Sequence, residues 1–185
     1  ESEDSAAKTV TEDNATDLGA TTNLTTSGSL TVTDVDGLGA GNHKGAFNTA
    51  PAEIVLKSTE ATSQLGTLTI DSAGAWSYSV ANDNAAVQAL DTGETIVEVF
   101  TVTTTDDQPQ DITITINGKD DASQITVTGD NDQGSVTEDV SVASDAITTS
   151  GTISVTDADT SHTAAFKTAP AEIVLKSTEA TSQLG

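Results

Sequence analysis

An eighteen-residue segment occurs twice in this chain, letter for letter. TAPAEIVLKSTEATSQLG runs from Thr49 to Gly66 and again from Thr168 to Gly185. An internal repeat decides the architecture before any local signal is read. The two copies also align upstream of the identical block. Val10-Thr11-Glu12-Asp13 matches Val136-Thr137-Glu138-Asp139, Thr26-Ser27-Gly28 matches Thr149-Ser150-Gly151, and TVTDVD ending at Asp36 matches SVTDAD ending at Asp159. The offset shrinks along the chain through Gly-, Asn- and Thr-rich stretches, where surface loops accept length changes. The first copy continues past Gly66 into TLTIDSAGAWSYSV, while the second stops at Gly185. The expected organisation is a complete repeat over 1–121 and the N-terminal part of a second over 122–185, a window from a longer tandem array.

A unit of this length is a domain, large enough to bury a core without staples. The chain has no Cys, so no disulfide framework exists. No apolar run approaches the length of a membrane-crossing helix. Twenty-nine Asp and Glu face six Lys and no Arg, for a net charge of −23. Such a surface repels nucleic acid and anionic membranes, so neither is an expected partner. It fits a halotolerant protein or one that collects cations.

Apolar residues alternate with Thr and Ser at the period of a half-buried strand. Leu30 and Val32, Leu68 and Ile70, Trp76 with Tyr78 and Val80, Phe100 and Val102, and Ile112 with Ile114 and Ile116 all show it. Thr, Val and Ile suit a pleated surface. Asp71-Ser72-Ala73-Gly74, Asp106-Asp107-Gln108-Pro109-Gln110 and Asn117-Gly118 read as turns. Asn84 to Leu90 gives a short helical hint. Seven strands are predicted, around 8–11, 28–34, 53–57, 66–71, 75–81, 95–105 and 110–117. They imply an all-β fold: an antiparallel β-sandwich of immunoglobulin-like, cadherin-like type, in tandem, with the second copy truncated.

Acidic groups gather at the strand ends, and calcium takes six to eight hard oxygen ligands. No EF-hand loop is present: Asp34-Val35-Asp36 is followed by Leu38 at the third ligand position, and Asp130-Asn131-Asp132 by Gly134. A site must therefore be assembled from separate loops. Successive turns of an antiparallel sandwich alternate between its poles. Asp34 and Asp36 are thus expected near Asp106 and Asp107, where a preceding linker arrives. In the second copy Asp157 and Asp159 are expected to converge with the linker residues Asp120 and Asp121, as calcium ligands do between cadherin domains. Glu12 and Glu138 are further candidates. The competing reading of each pair is an ordinary turn, because Asp bonds its own backbone there. Asp130 and Asp132 are assigned to that reading.

His43 and His162 fall in the loop that changes length between copies, which reads as exposed. Asn14-Ala15-Thr16 and Asn23-Leu24-Thr25 match the glycosylation triplet, as chance allows in a Thr-rich chain. Trp76 and Tyr78 are either core or a sugar-stacking platform, and their phase with Val80 favours core. No nucleophile has a defined partner set, so an enzyme is not expected.

The series Gly66-Thr67-Leu68-Thr69-Ile70-Asp71, Gly74-Ala75-Trp76-Ser77-Tyr78, Val87-Gln88-Ala89-Leu90, Gly93-Glu94-Thr95 and Phe100-Thr101-Val102 resembles the VCBS-type repeats of bacterial RTX adhesins. Gly28 to Asp36 and Val136 to Asp139 fit the same pattern. The family closes a repeat with Gly-Thr-Asn-Asp-Ala-Pro. Here Gly118-Lys119-Asp120-Asp121-Ala122-Ser123 stands instead, with a Lys and without the Pro. The resemblance implies a structural extender of a long protein exported by type I secretion and held at the bacterial surface. Structural calcium would stiffen the junctions between neighbouring repeats, in support of adhesion and biofilm formation. The alternative is a carbohydrate- or host-surface-binding module of the same kind of protein. An incomplete second repeat also leaves Ile153, Val155, Ile173 and Val174 without a partner sheet, so strand exchange with another molecule is expected.

Overall fold

The computed structural model describes residues 7–12, 23–35, 45–128, 132–137, 142–143 and 146–174. The chain divides into two compact units, Glu1–Ala122 with Asp157–His162, and Ser123–Thr156 with Thr163–Gly185.

The first unit is an all-β sandwich. Its strands are β1 (Ala7–Thr11), β2 (Leu24–Ser29), β3 (Val55–Thr59), β4 (Thr67–Ile70), β5 (Ala75–Val80), β6 (Thr95–Thr103) and β7 (Pro109–Asn117). A single helical turn, α1 (Ala85–Gln88), lies between β5 and β6 and is capped by the Asn84 side chain. One sheet has the order β1-β7-β6-β3 and the other β2-β5-β4. Neighbours are antiparallel, except that β1 runs parallel to β7.

The alternation seen in the sequence is the alternation of burial. Ile96, Phe100 and Val102 of β6 and Ile112, Ile114 and Ile116 of β7 face Leu68, Ile70, Trp76, Tyr78 and Val80 of the opposite sheet in one core. Trp76 and Tyr78 are 2% and 1% exposed, which makes them core residues. The Tyr78 and Phe100 rings meet at a centroid distance of 6.0 Å.

One inward position is charged. Glu98 is fully buried, between Ile96 and Phe100 on the core side of β6. Its carboxylate accepts hydrogen bonds from the Leu65 and Gly66 amides (2.7 and 3.1 Å) and the Tyr78 hydroxyl (2.7 Å). Burial, and then the bond to Glu98 and its charge, push the Tyr78 phenol well above its ordinary range, so it stays a donor.

Two strands sit where the periodicity did not put them. The second was expected over 28–34 and occupies Leu24–Ser29. Its ladder with β5 ends at the Ser29–Ala75 pair, and the next amide, Leu30, bonds to Gly74 of the β4–β5 turn. Leu30 and Val32 still pack on the core, but outside the ladder. The third was expected over 53–57. Pro51, which has no amide hydrogen, instead opens a 3-10 turn over Pro51–Glu53, and β3 follows with a register shift between Leu56 and Ser58.

The second unit contains β8 (Gln124–Thr126) paired with β11 (Ser154–Thr156), and β9 (Val142–Ala143) paired with β10 (Ala146–Ile147), both antiparallel. A 3-10 turn at Pro170–Glu172 repeats the one at Pro51–Glu53. Ile125, Val136, Ile173 and Val174 expose between 51% and 76% of their surface.

Candidate metal centre

The β6–β7 ladder opens with Thr95 opposite Asn117. It therefore sets the segment entering β6 beside the segment leaving β7. The entering segment, Asp91 to Glu94, is closed on itself: Glu94 N donates to Asp91 O (2.9 Å) and Asp91 N to Glu94 Oε2 (3.0 Å). Gly93 takes a φ of 94°, open to glycine without strain. The leaving segment docks through Gly118 N to Glu94 O (3.0 Å) and Asp120 N to Thr92 Oγ1 (2.9 Å). Glycine is required at 118, because a Cβ there would lie 2.5 Å from the Asp91 carbonyl oxygen.

Residues 157–162 complete this end of the sandwich. Asp157 accepts from the Asp159 amide (3.2 Å), holding the bend. The Asp121 amide donates to Asp159 Oδ2 (2.7 Å), the Thr160 amide and hydroxyl donate to Ala89 O (3.3 and 3.1 Å), and the Ser161 hydroxyl donates to Asp91 Oδ2.

Asp91, Asp120, Asp159 and His162 each bring one ligand atom within 4.8 Å of the others. His162 Nδ1 lies 3.2 Å from Asp91 Oδ2 and 3.8 Å from Asp159 Oδ2. The Asp159 side chain is wholly buried, whereas that of His162 is half exposed. Asp159 Oδ1 is buried with no hydrogen-bond partner. The Asp91 carboxyl is held below its ordinary value, first by a hydrogen bond with the Asp120 carboxyl and then by Ser161. The Thr92 amide and the charge of His162 act the same way, and partial burial opposes them.

Oxygen ligands of calcium lie about 2.3–2.6 Å from the ion, so two ligands of one ion are separated by at most about 5 Å. The spacing of this cluster would allow one cation to touch all four groups. Three carboxylates are hard-oxygen ligands suited to calcium, whereas an imidazole suits zinc and its neighbours.

Of the candidates drawn from the sequence, Asp120 and Asp159 lie in the cluster, and Asp121 and Asp157 hold its backbone. Glu12 is buried beside them, accepting from the Lys119 amide (2.8 Å) and from Gln88 Nε2 (3.1 Å). Asp106 and Asp107 belong to the β6–β7 turn at the other end of that ladder, where Asp106 accepts from Thr104 Oγ1 (2.5 Å) and Asp107 has a φ of 63°. Asp34 is half-buried after β2. Asp36, Asp130, Glu138 and His43 lie outside the described residues.

Asp91 and His162 were not among the sequence candidates. Asp91 belongs to none of the acidic pairs seen in the sequence, and His162 reads as part of a variable loop. The available signal was register. Once β6 and β7 are paired as a hairpin, Asp91 and Asp120 flank its open end.

No protein-family model and no curated protein matches the chain. Among the described residues, no helix is long and apolar enough to cross a membrane.

Proposed function

We propose that this chain is a structural module, an immunoglobulin-like repeat that acts as an extender within a long bacterial surface protein, with no catalytic role. The two-sheet strand order supports the immunoglobulin-like reading, and the internal repeat supports the extender. A divalent cation, calcium by its oxygen ligands, binds at Asp91, Asp120 and Asp159. The observation that carries this is the buried Asp159 carboxylate, which faces two further carboxylates and has an oxygen that no donor meets. Like charges at this spacing repel by roughly 4 kcal/mol at an effective dielectric near 20. The bound ion would offset the repulsion among these carboxylates and would fasten residues 157–162 to the sandwich. Of the alternative, a carbohydrate- or host-surface-binding module, the version that stacks a sugar on Trp76 and Tyr78 loses its surface because both rings are buried.

The test is calorimetric titration of the chelator-stripped protein with calcium, and separately with zinc. Calcium is expected to bind and to raise the melting temperature, as any ligand held only by the folded state does. Asp159→Asn is expected to remove most of that increment. Identical melting in excess calcium and in excess chelator defeats the calcium reading, and tighter binding of zinc would reassign the site through His162.

A further inference from the structure

In the first unit the segment Thr49–Gly66 forms the edge of its sheet, and its contacts with β6, β7 and Tyr78 run through a few positions. Leu56 pairs with Phe100. Lys57 Nζ lies 2.5 Å from Asp111 Oδ2. The Glu60 amide donates to Val97 O (3.1 Å), and the Val97 amide to Glu60 Oε2 (2.9 Å). Leu65 and Gly66 donate to Glu98. Gly66 lies so close to Tyr78 that a Cβ would stand 2.1 Å from its ring.

Every one of these residues recurs in the second copy, as Leu175, Lys176, Glu179, Leu184 and Gly185. The entry to the segment has the same backbone in both copies: φ −67° and ψ 133° at Ala50 against −65° and 133° at Ala169, then −101° and 100° at Ile54 against −98° and 101° at Ile173. Ile54 packs on the core, while Ile173 and Val174 are 70% and 76% exposed.

We propose that the β6 edge of the first unit is a docking surface for a second copy of this chain, whose Thr168–Gly185 segment replaces Thr49–Gly66. The interface is one the sandwich already makes with the same sequence. Its charges match, since Lys176 arrives where Lys57 meets Asp111. The occupant comes from another molecule for a reason of reach. Residues 159–162 are held at the Thr95 end of β6, whereas Asn48 is bonded to Thr103 at the other end. β6 spans about 26 Å, while His162 to Thr168 of the same chain extends over at most about 21 Å. At low concentration the resident segment, tethered at both ends, holds the edge. The incoming copy takes it when the resident one is disabled.

Gly66→Val disables the resident segment by collision with Tyr78 and leaves Thr168–Gly185 intact. In the full chain this variant is expected to sediment as a concentration-dependent dimer, with a melting temperature that rises with protein concentration. Adding Gly185→Val is expected to lower the dimer fraction about tenfold or more, because the replacement now meets the same ring. Three results would overturn the proposal. The Gly66→Val chain remains a folded monomer at all concentrations, the double variant dimerises equally well, or Gly66→Val is unfolded at every concentration although its substitute segment is present.

Discussion

A carboxylate inside an apolar sheet is tolerated when donors meet it, and Glu98 meets three. An ionised group that loses them in a low-dielectric core costs several kcal/mol. Tyr78→Phe removes one charge-assisted bond and keeps the ring, so a loss of about 1.5–3 kcal/mol is expected. Urea denaturation should show it as a lower midpoint at unchanged slope. A second carboxylate gives a pH signature. The hydrogen bond to Lys57, then that to Thr101, hold Asp111 below its ordinary value of 3.8, with the charge of Lys57 assisting. The folded pKa is therefore below the unfolded one. The stabilisation is in place above the ordinary value and is lost as pH falls through the folded value. Both partners are exposed, so the effect is small. The melting temperature of Asp111→Asn should lie slightly below that of the parent at pH 7 and converge with it as pH falls below about 3.8. A gap that persists unchanged to pH 2 would mean that Asp111 contributes nothing by ionisation.

At the scale of elements, β2 depends on a close approach. Gly28 pairs with Trp76 across the ladder, and a Cβ there would lie 2.7 Å from the indole. Gly28→Ala should cost about 1–3 kcal/mol through overpacking and shift the Trp76 fluorescence; an unchanged melting curve and spectrum would show that the indole moves aside freely. The same contact explains what the sequence could and could not tell. Strands β4 to β7 were legible because each buries one face, which forces strict alternation at Leu68 and Ile70, or at Ile112 to Ile116. β2 was misplaced because alternation reports burial, not pairing. Leu30 and Val32 are partly buried, but β5 ends before it can bond them. The candidate site was legible in half. Asp120 and Asp159 stood out as members of acidic pairs on segments that topology brings together. Asp91 and His162 had no local signature, since their place depends on the ladder register and on the fold of residues 157–162.

For the molecule as a whole, the charge of −23 is a distributed load that no single pair reveals. Self-repulsion of this kind destabilises the compact state and is screened over about 10 Å at 0.1 M salt. Raising sodium chloride from about 0.01 to about 0.5 M, with chelator present, should therefore increase the melting temperature by several degrees. Insensitivity to salt would mean that the carboxylates are already neutralised within the fold. The parallel pairing of β1 with β7 bears on a different kind of load. Ala7 lies opposite Thr113 and Thr11 opposite Asn117, so the start of the first strand and the end of the last point in opposite directions along one ladder. Tension applied between Ala7 and Asn117 pulls along the strands and strains all five residue pairs together, where a hairpin would unzip one bond at a time. The first unit is accordingly expected to rupture abruptly at high force when stretched between these ends, and at much lower force when β6 and β7 are pulled apart at the open end of their hairpin, at Thr95 and Asn117. Single-molecule stretching along the two axes would measure that anisotropy.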